Sequence, residues 1–197
     1  MKKICFIIFM FCFTLLAVTT TTATANTLKS IGIIIISADE FKSEVYFNRS
    51  ASIFNADKNS NIKVEVGESL QQKYSDYCKD KEISDNEPPR LENLLEFTVQ
   101  NNFDYLLCLV IKEPEVSKYM KKVYGGQYIG EVNAEHFTVS MTINAYMCDK
   151  TKLLKTHSVT KNKIQDVRHS RNPQAKATRG AFTLCINDIK KSMNGLW

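Results

Sequence analysis

Acid–base, metal and nucleophile chemistry needs histidine, cysteine, paired carboxylates or an activated serine at spacings that bring them together. Histidine occurs three times in 197 residues, at His136, His157 and His169, and none has a second His or Cys two to four positions away. A zinc site would therefore need ligands from distant segments, and all three histidines are expected at the surface. No C-x-x-C pair and no G-x-S-x-G elbow occurs, so neither a redox dithiol nor a Ser/His/Asp hydrolase gains support. Glu113 and Glu115 flank Pro114. In an extended segment such a pair points the same way and could act as acid and base or hold a cation. The glycine-rich stretch Val123-Tyr124-Gly125-Gly126-Gln127-Tyr128-Ile129-Gly130 lacks a following Lys-Ser/Thr. It is expected as a hairpin tip or contact loop rather than a phosphate loop. No catalytic residue, metal ligand or cofactor is assigned.

What would position any chemistry begins with an export signal. Lys2 and Lys3 precede an uncharged apolar run over residues 4–18, and a small-residue stretch ends in Ala23-Thr24-Ala25. That is a positive region, an apolar region and an A-x-A cleavage pattern in the order a secretory signal requires. The apolar run of about fifteen residues is shorter than the ~20 that span a bilayer as a helix. The sequence thus predicts a cleavable signal peptide over 1–25, cut between Ala25 and Asn26. A single domain over 26–197 follows, periplasmic or secreted, with no transmembrane segment after cleavage. In that compartment Cys78, Cys108, Cys148 and Cys185 are candidate disulfide cysteines, at spacings of 30, 40 and 37 residues. Three pairings are open, as are buried free thiols. Asn48-Arg49-Ser50 satisfies the glycosylation sequon.

Charge is distributed unevenly. The whole chain carries +5, and residues 26–197 carry +3, composed of −6 over 26–115 and +9 over 116–197. Nine basic residues crowd 150–180 against the single acid Asp166: Lys150, Lys152, Lys155, Lys161, Lys163, Arg168, Arg171, Lys176 and Arg179. They form a candidate patch for an anionic envelope surface, or a solvated hairpin tip and loop. No Tyr, Trp or Phe is interleaved with them, so single-stranded nucleic acid would find no stacking platform there. Nucleic acid is not an expected partner.

Hydrophobic periodicity then supplies the elements. Residues 31–36 and 105–111 are uninterrupted apolar runs, read as central strands buried on both faces. Ile62, Val64 and Val66 alternate with charges in a short strand. Phe137, Val139, Met141, Ile143, Ala145 and Met147 alternate with polar residues in a long strand. It turns at 149–152 into a lysine-studded return strand suited to a sheet edge. Helices are expected over 41–54, from Gly67 through Cys78, over 90–101, and from Asn172-Pro173 to Asn194. The last has an N-cap Asn, Pro at the first helical position, and a stripe of Thr178, Phe182, Cys185, Ile189 and Met193. The expected fold class is α/β (α+β): one mixed four- to five-stranded sheet with helices packed mainly on one face, ending in a long antiparallel hairpin and a C-terminal helix.

That order of elements includes the Asn102-Phe103-Asp104-Tyr105 approach, the Asp149-Lys150-Thr151-Lys152 turn and a closing helix with Ala175, Ala177 and Ala181. It resembles the α/β module of bacterial envelope proteins such as the TolB N-terminal domain and the CsgG-type secretion lipoproteins. It is also similar to small uncharacterised exported bacterial proteins of that kind. Where the group typically has a D-x-x-T turn, Asp149-Lys150-Thr151-Lys152 stands here without the expected Gly, and no lipobox cysteine follows the apolar run. The resemblance implies an interaction or assembly role. The expected function is a non-enzymatic envelope binding or assembly module, with an envelope protein or an anionic envelope surface as partner. The alternatives are a small extracytoplasmic hydrolase with a carboxylate-based site and a basic-patch binder of anionic surfaces. The intact mass of the exported chain should correspond to a start at Asn26; a mass retaining residues 1–25 would refute cleavage.

Overall fold

The computed structural model describes residues 28–55, 62–124, 131–166 and 171–196. The expected signal peptide with Ala23, Ala25 and Asn26, the glycine-rich residues 125–130, Arg168, His169 and Trp197 lie outside the described residues.

Strand β1 (Lys29–Ile36) is followed by a single 3₁₀ turn (Asp39–Phe41), helix α1 (Glu44–Phe54) and strand β2 (Ile62–Glu65). Helices α2 (Glu68–Asp80) and α3 (Leu91–Gln100) lead to β3 (Tyr105–Ile111) and β4 (Glu115–Tyr124). The long strand β5 (Glu131–Cys148), its return β6 (Leu153–Asp166) and helix α4 (Pro173–Met193) complete the chain. β1 pairs in parallel with both β2 and β3, and β3 pairs antiparallel with β5. β5 is long enough to serve two partners along one edge. Its residues 143–148 pair with β3, its residues 131–140 pair with β4, and β6 runs along its other edge.

Why both faces of this sheet are covered follows from the crossovers. The chain steps from β1 to β2 through α1, then back across β1 to β3 through α2 and α3. Parallel connections are right-handed, so opposite steps put their helices on opposite faces. Ile31, Ile33, Ile35, Leu107 and Leu109 face α1 and α4, together with Met141, Ile143 and Met147. Ile34, Ile36, Leu106, Cys108 and Val110 face Tyr74 of α2 and Phe97 of α3. Fully burying a side chain such as Phe97 or Phe182 contributes about 1.5–3 kcal/mol.

Two expectations are corrected here. The sheet has six strands rather than four or five, and helices cover both faces rather than mainly one. The unforeseen strand is β4. Its Val116, Tyr119 and Met120 are exposed and follow no single period, because neither face is buried and no alternation is enforced. β5 likewise begins at Glu131, six residues before its alternating pattern becomes legible. The start of α4 is as expected: the Asn172 side chain accepts a hydrogen bond from the Ala175 N–H at 3.1 Å, with Pro173 behind it. Its buried stripe runs through Ala177, Ala181, Phe182, Cys185, Ile186, Ile189 and Met193, while Thr178 is only half-buried.

Gly32 lies where Phe103 crosses the β1 backbone, and a Cβ there would sit 2.7 Å from the ring. Replacing Gly32 with Ala should therefore destabilise the protein by about 1–3 kcal/mol, read from the urea midpoint. Phe103→Leu in the same chain should recover part of the loss. An unchanged midpoint for Gly32→Ala would contradict the packing described.

Candidate functional site

The four cysteines among the described residues are free thiols. Cys78, Cys108 and Cys148 belong to the core beneath α2 and α3, and Cys185 to the core beneath α4. The sheet thus separates Cys185 from the other three candidate disulfide cysteines. Burial pushes every one of these thiols up, Cys185 to about 11 and Cys108 well above the ordinary thiol range. Cys185 donates to the Met141 carbonyl at 3.4 Å. A protonated, dry thiol is neither a nucleophile nor a metal ligand, so these four act as small apolar side chains.

The basic residues do not form one patch. The β5–β6 register sets Lys155, His157, Val159, Lys161 and Lys163 opposite Met147, Ala145, Ile143, Met141 and Val139. They therefore stand on the face that carries α4. Lys155 donates to the Ser192 carbonyl, Lys161 pairs with Asp188, and His157 Nε2 lies 3.2 Å from the same carboxylate. The Lys163 stem crosses α4 at Gly180. Lys150 and Lys152 sit at the distant hairpin turn, where Lys150 donates to Asn102 Oδ1 at 2.8 Å. The carboxylate of Asp149 accepts from the Thr151 N–H, the Thr151 hydroxyl and the Lys152 N–H; the Thr151 hydroxyl bond comes first in holding it below the usual carboxylate range. Arg171, Lys176 and Arg179 remain around the first turns of α4.

Of the expected acid–base residues, Glu113 in the link from β3 and Glu115 at the start of β4 are both exposed. His136 corrects the surface expectation. It is buried, and its ring stacks on Tyr119 across the β4–β5 ladder at 5.4 Å between centroids. Among the described residues no group of three or more His, Cys, Asp or Glu could hold a metal ion.

A polar cluster that no sequence spacing announced lies beyond the carboxyl end of β1. The strand order reverses there, which in open α/β sheets opens a crevice. The cleft has a volume of about 330 Å³ and lies between the 3₁₀ turn, α2 and Asp85. Lys42, whose side chain is only 10% exposed, stands 3.4 Å from Asp85 and 3.9 Å from Asp39. It also donates to Asn86 Oδ1 at 2.6 Å, and the Ser75 hydroxyl donates to Asp85 at 3.0 Å. Gln71 accepts from the Ile35 N–H at 3.0 Å and so caps the buried backbone of β1. Three carboxylates, Asp39, Glu68 and Asp85, line this concavity, and the hydrolase alternative required at least two. Asp39 and Asp85 are tied to the Lys42 ammonium, however, and Lys42, Asp39 and Asp85 work as a staple between the 3₁₀ turn and the loop after α2. The three residues are separated by up to 46 positions in the sequence, and only folding joins them.

β4, the first half of β5 and the end of β6 form an antiparallel arm. Val116, Tyr119, Met120 and Ile164 are 43%, 39%, 57% and 55% exposed there. Lys118 bridges to Glu135 at 2.7 Å. Among the described residues β4 pairs only with β5, so its outer edge has no strand partner there.

No family model matches the chain, and no curated protein is similar to it. Among solved structures it is similar to a hypothetical protein from Chlamydia trachomatis, with 9% identity, a TM-score of 0.43, and coverage of 82% of this chain and 96% of that one. It is similar to a lipoprotein from Neisseria meningitidis at 15% identity and a TM-score of 0.41, covering 84% and 97%. A minor lipoprotein from Acinetobacter baumannii gives 9% identity and a TM-score of 0.34, covering 84% and 92%. The functional reading below rests on this chain's own residues. Among the described residues no helix is long and apolar enough to cross a membrane.

Lys161, and then His157, hold the Asp188 carboxyl below its ordinary range. A depressed folded-state pKa contributes stability above the unfolded carboxylate value, and this is lost as pH falls through the folded value. Because the pair is partly exposed, the contribution is below about 1 kcal/mol. Asp188→Asn should lower stability at neutral pH and flatten the acid limb of the stability profile, followed by urea midpoints from neutral pH to below the ordinary carboxylate range. An acid limb identical to the parent's would refute this role.

Proposed function

We propose that this chain is a non-enzymatic binding and assembly module of an extracytoplasmic compartment, engaging an envelope protein through the β4 arm. The observation that supports it is the arm itself: a strand edge without a partner among the described residues, next to exposed Val116 and Met120. An exposed strand edge is normally blunted by charge or covered; the lysines of β4 guard it against indiscriminate pairing, while Val116 and Met120 stay open to a matched strand. The partner best suited to it supplies an extended segment that adds a strand to β4. Main-chain hydrogen bonds then give affinity, and alternate side chains give register. Lys118, Lys121 and Lys122 lie along that strand, so the matching segment is acidic and apolar in alternation. Export, read from residues 1–25, supplies the compartment.

Placing Glu at both Val116 and Met120 should abolish crosslinked recovery of an envelope protein with the exported chain and leave the thermal midpoint within a few degrees, because both sites are exposed. Recovery only as a free monomer, together with turnover of a substrate, would overturn the proposal.

A further inference from the structure

Helices α1 and α4 do not close on each other along their whole length. Between α1 and the N-terminal half of α4 lies a groove of about 260 Å³. Its floor is aromatic. The Tyr46 and Phe182 rings meet edge to face with centroids 4.9 Å apart, and Phe41 backs Tyr46 at 5.0 Å. Val45, Asn48, Arg49 and Ser52 come from one face of α1 at i, i+3, i+4 and i+7, while Arg179 closes the opposite side from α4. The core-facing residues of the same helix are Phe47, Ser50 and Phe54, so the groove-facing stripe is a separate surface. Val45 is 51% exposed within it.

The electrostatics are one-sided. Arg179 uses its Nε to reach the Ala175 carbonyl at 3.3 Å, which leaves the terminal guanidinium nitrogens available. Among the described residues no carboxylate forms an ion pair with Arg179 or Arg49. Arg179 acts electrostatically on the Tyr46 hydroxyl, opposing the upward effects of burial and of Glu40. Lys176 lies one turn away, and the first turn of α4 carries no acid against the positive end of its dipole. The acids facing α1's stripe are Glu44, whose carboxylate accepts from Asn48 at 3.2 Å, and Glu40 beside Tyr46.

Two guanidinium forks beside an aromatic seat recognise an anionic oxygen group bidentately and stack its apolar body. We propose that the α1–α4 groove binds a small anionic amphiphile, with its carboxylate or phosphate held by Arg49 and Arg179 and its apolar body against Val45, Tyr46 and Phe182. Size limits the ligand. Pockets for drug-sized molecules run to about 300–1,000 Å³, so this smaller groove admits one ring or a short chain and excludes a whole phospholipid. The ligand is thus drawn from solution and not from a bilayer surface. The site is independent of the β4 arm, and either can fail alone.

Calorimetric titration of the residue 26–197 chain with octanoate, octyl phosphate, octanol and inorganic phosphate tests the proposal. Octanoate and octyl phosphate should bind, with octanol and inorganic phosphate each weaker by about tenfold or more. Arg49→Gln and Arg179→Gln should each weaken octanoate by about tenfold or more. Val45→Asp should weaken it too, whereas Lys150→Gln at the far hairpin turn should not. All these positions are exposed, so unchanged thermal midpoints establish that the variants are folded. The proposal is overturned if the two arginine variants bind octanoate like the parent, or if inorganic phosphate binds as well as octyl phosphate. It is overturned equally if only phosphatidylglycerol vesicles, and neither monomeric amphiphile, bind.

Discussion

The isoleucine run of β1 must be kept dry on both sides at once. Ile33, Ile34, Ile35 and Ile36 are all buried, and their neighbours in β3 are equally dry from Leu106 to Ile111. A strand without a wet face can exist only with its backbone paired along both edges and an apolar layer against each face. β2 and β3 supply the pairing, and the helices supply the layers. Gln71 completes the arrangement by accepting the Ile35 N–H beyond the short reach of β2. Most other features of the molecule follow from this requirement, including the crossovers on opposite faces and the polar cleft where those crossovers part.

The second half of the chain solves a different problem. β5 extends the sheet far past the helices, so its two faces have different fates along its length. Residues 139–147 bury their odd positions under α4, whereas the opposite face carries Thr142, Asn144 and their hydroxyl partners Thr160 and Ser158 in β6. The lysines of β6 work within this scheme. Their stems cover the flank of α4, and their ammonium groups end on a carbonyl or on Asp188, as long amphipathic side chains do at the margin of a core. Charge that looked like a binding surface is in part the seam between a strand and a helix.

What is left for recognition is accordingly narrow. The thiols are protonated and dry, and Asp39 and Asp85 of the β1 cleft are tied to Lys42. Two features of the described residues stand apart from these, the outer edge of β4 and the groove between α1 and α4. The first offers backbone groups and apolar side chains to another polypeptide. The second offers two guanidinium groups over an aromatic floor to a small anion. Both lie where two elements that need each other elsewhere diverge, and such margins tolerate exposure because the core does not depend on them.

Much of the architecture is legible in the residues alone. Uninterrupted apolar runs identified β1 and β3, strict alternation identified the later part of β5, and Asn172-Pro173 marked the start of α4, because each pattern reports burial or capping within a few residues. β4 was not legible, since an edge strand exposed on both faces leaves no period. Nor was the burial of His136, which depends on Tyr119 across the ladder. The placement of helices on both faces came from the order in which strands pair, and local sequence does not encode that order. The nine basic residues of 150–180 were plain in the sequence. Only the tertiary structure divided them, because strand register decides which lysines meet α4 and helix packing decides which arginines border a groove. The export pattern, the strand and helix periods and the charge asymmetry belong to the sequence by itself. The clefts, the separation of Cys185 from its counterparts and the convergence of Arg49 and Arg179 on one groove arise only when segments distant in the sequence are brought together.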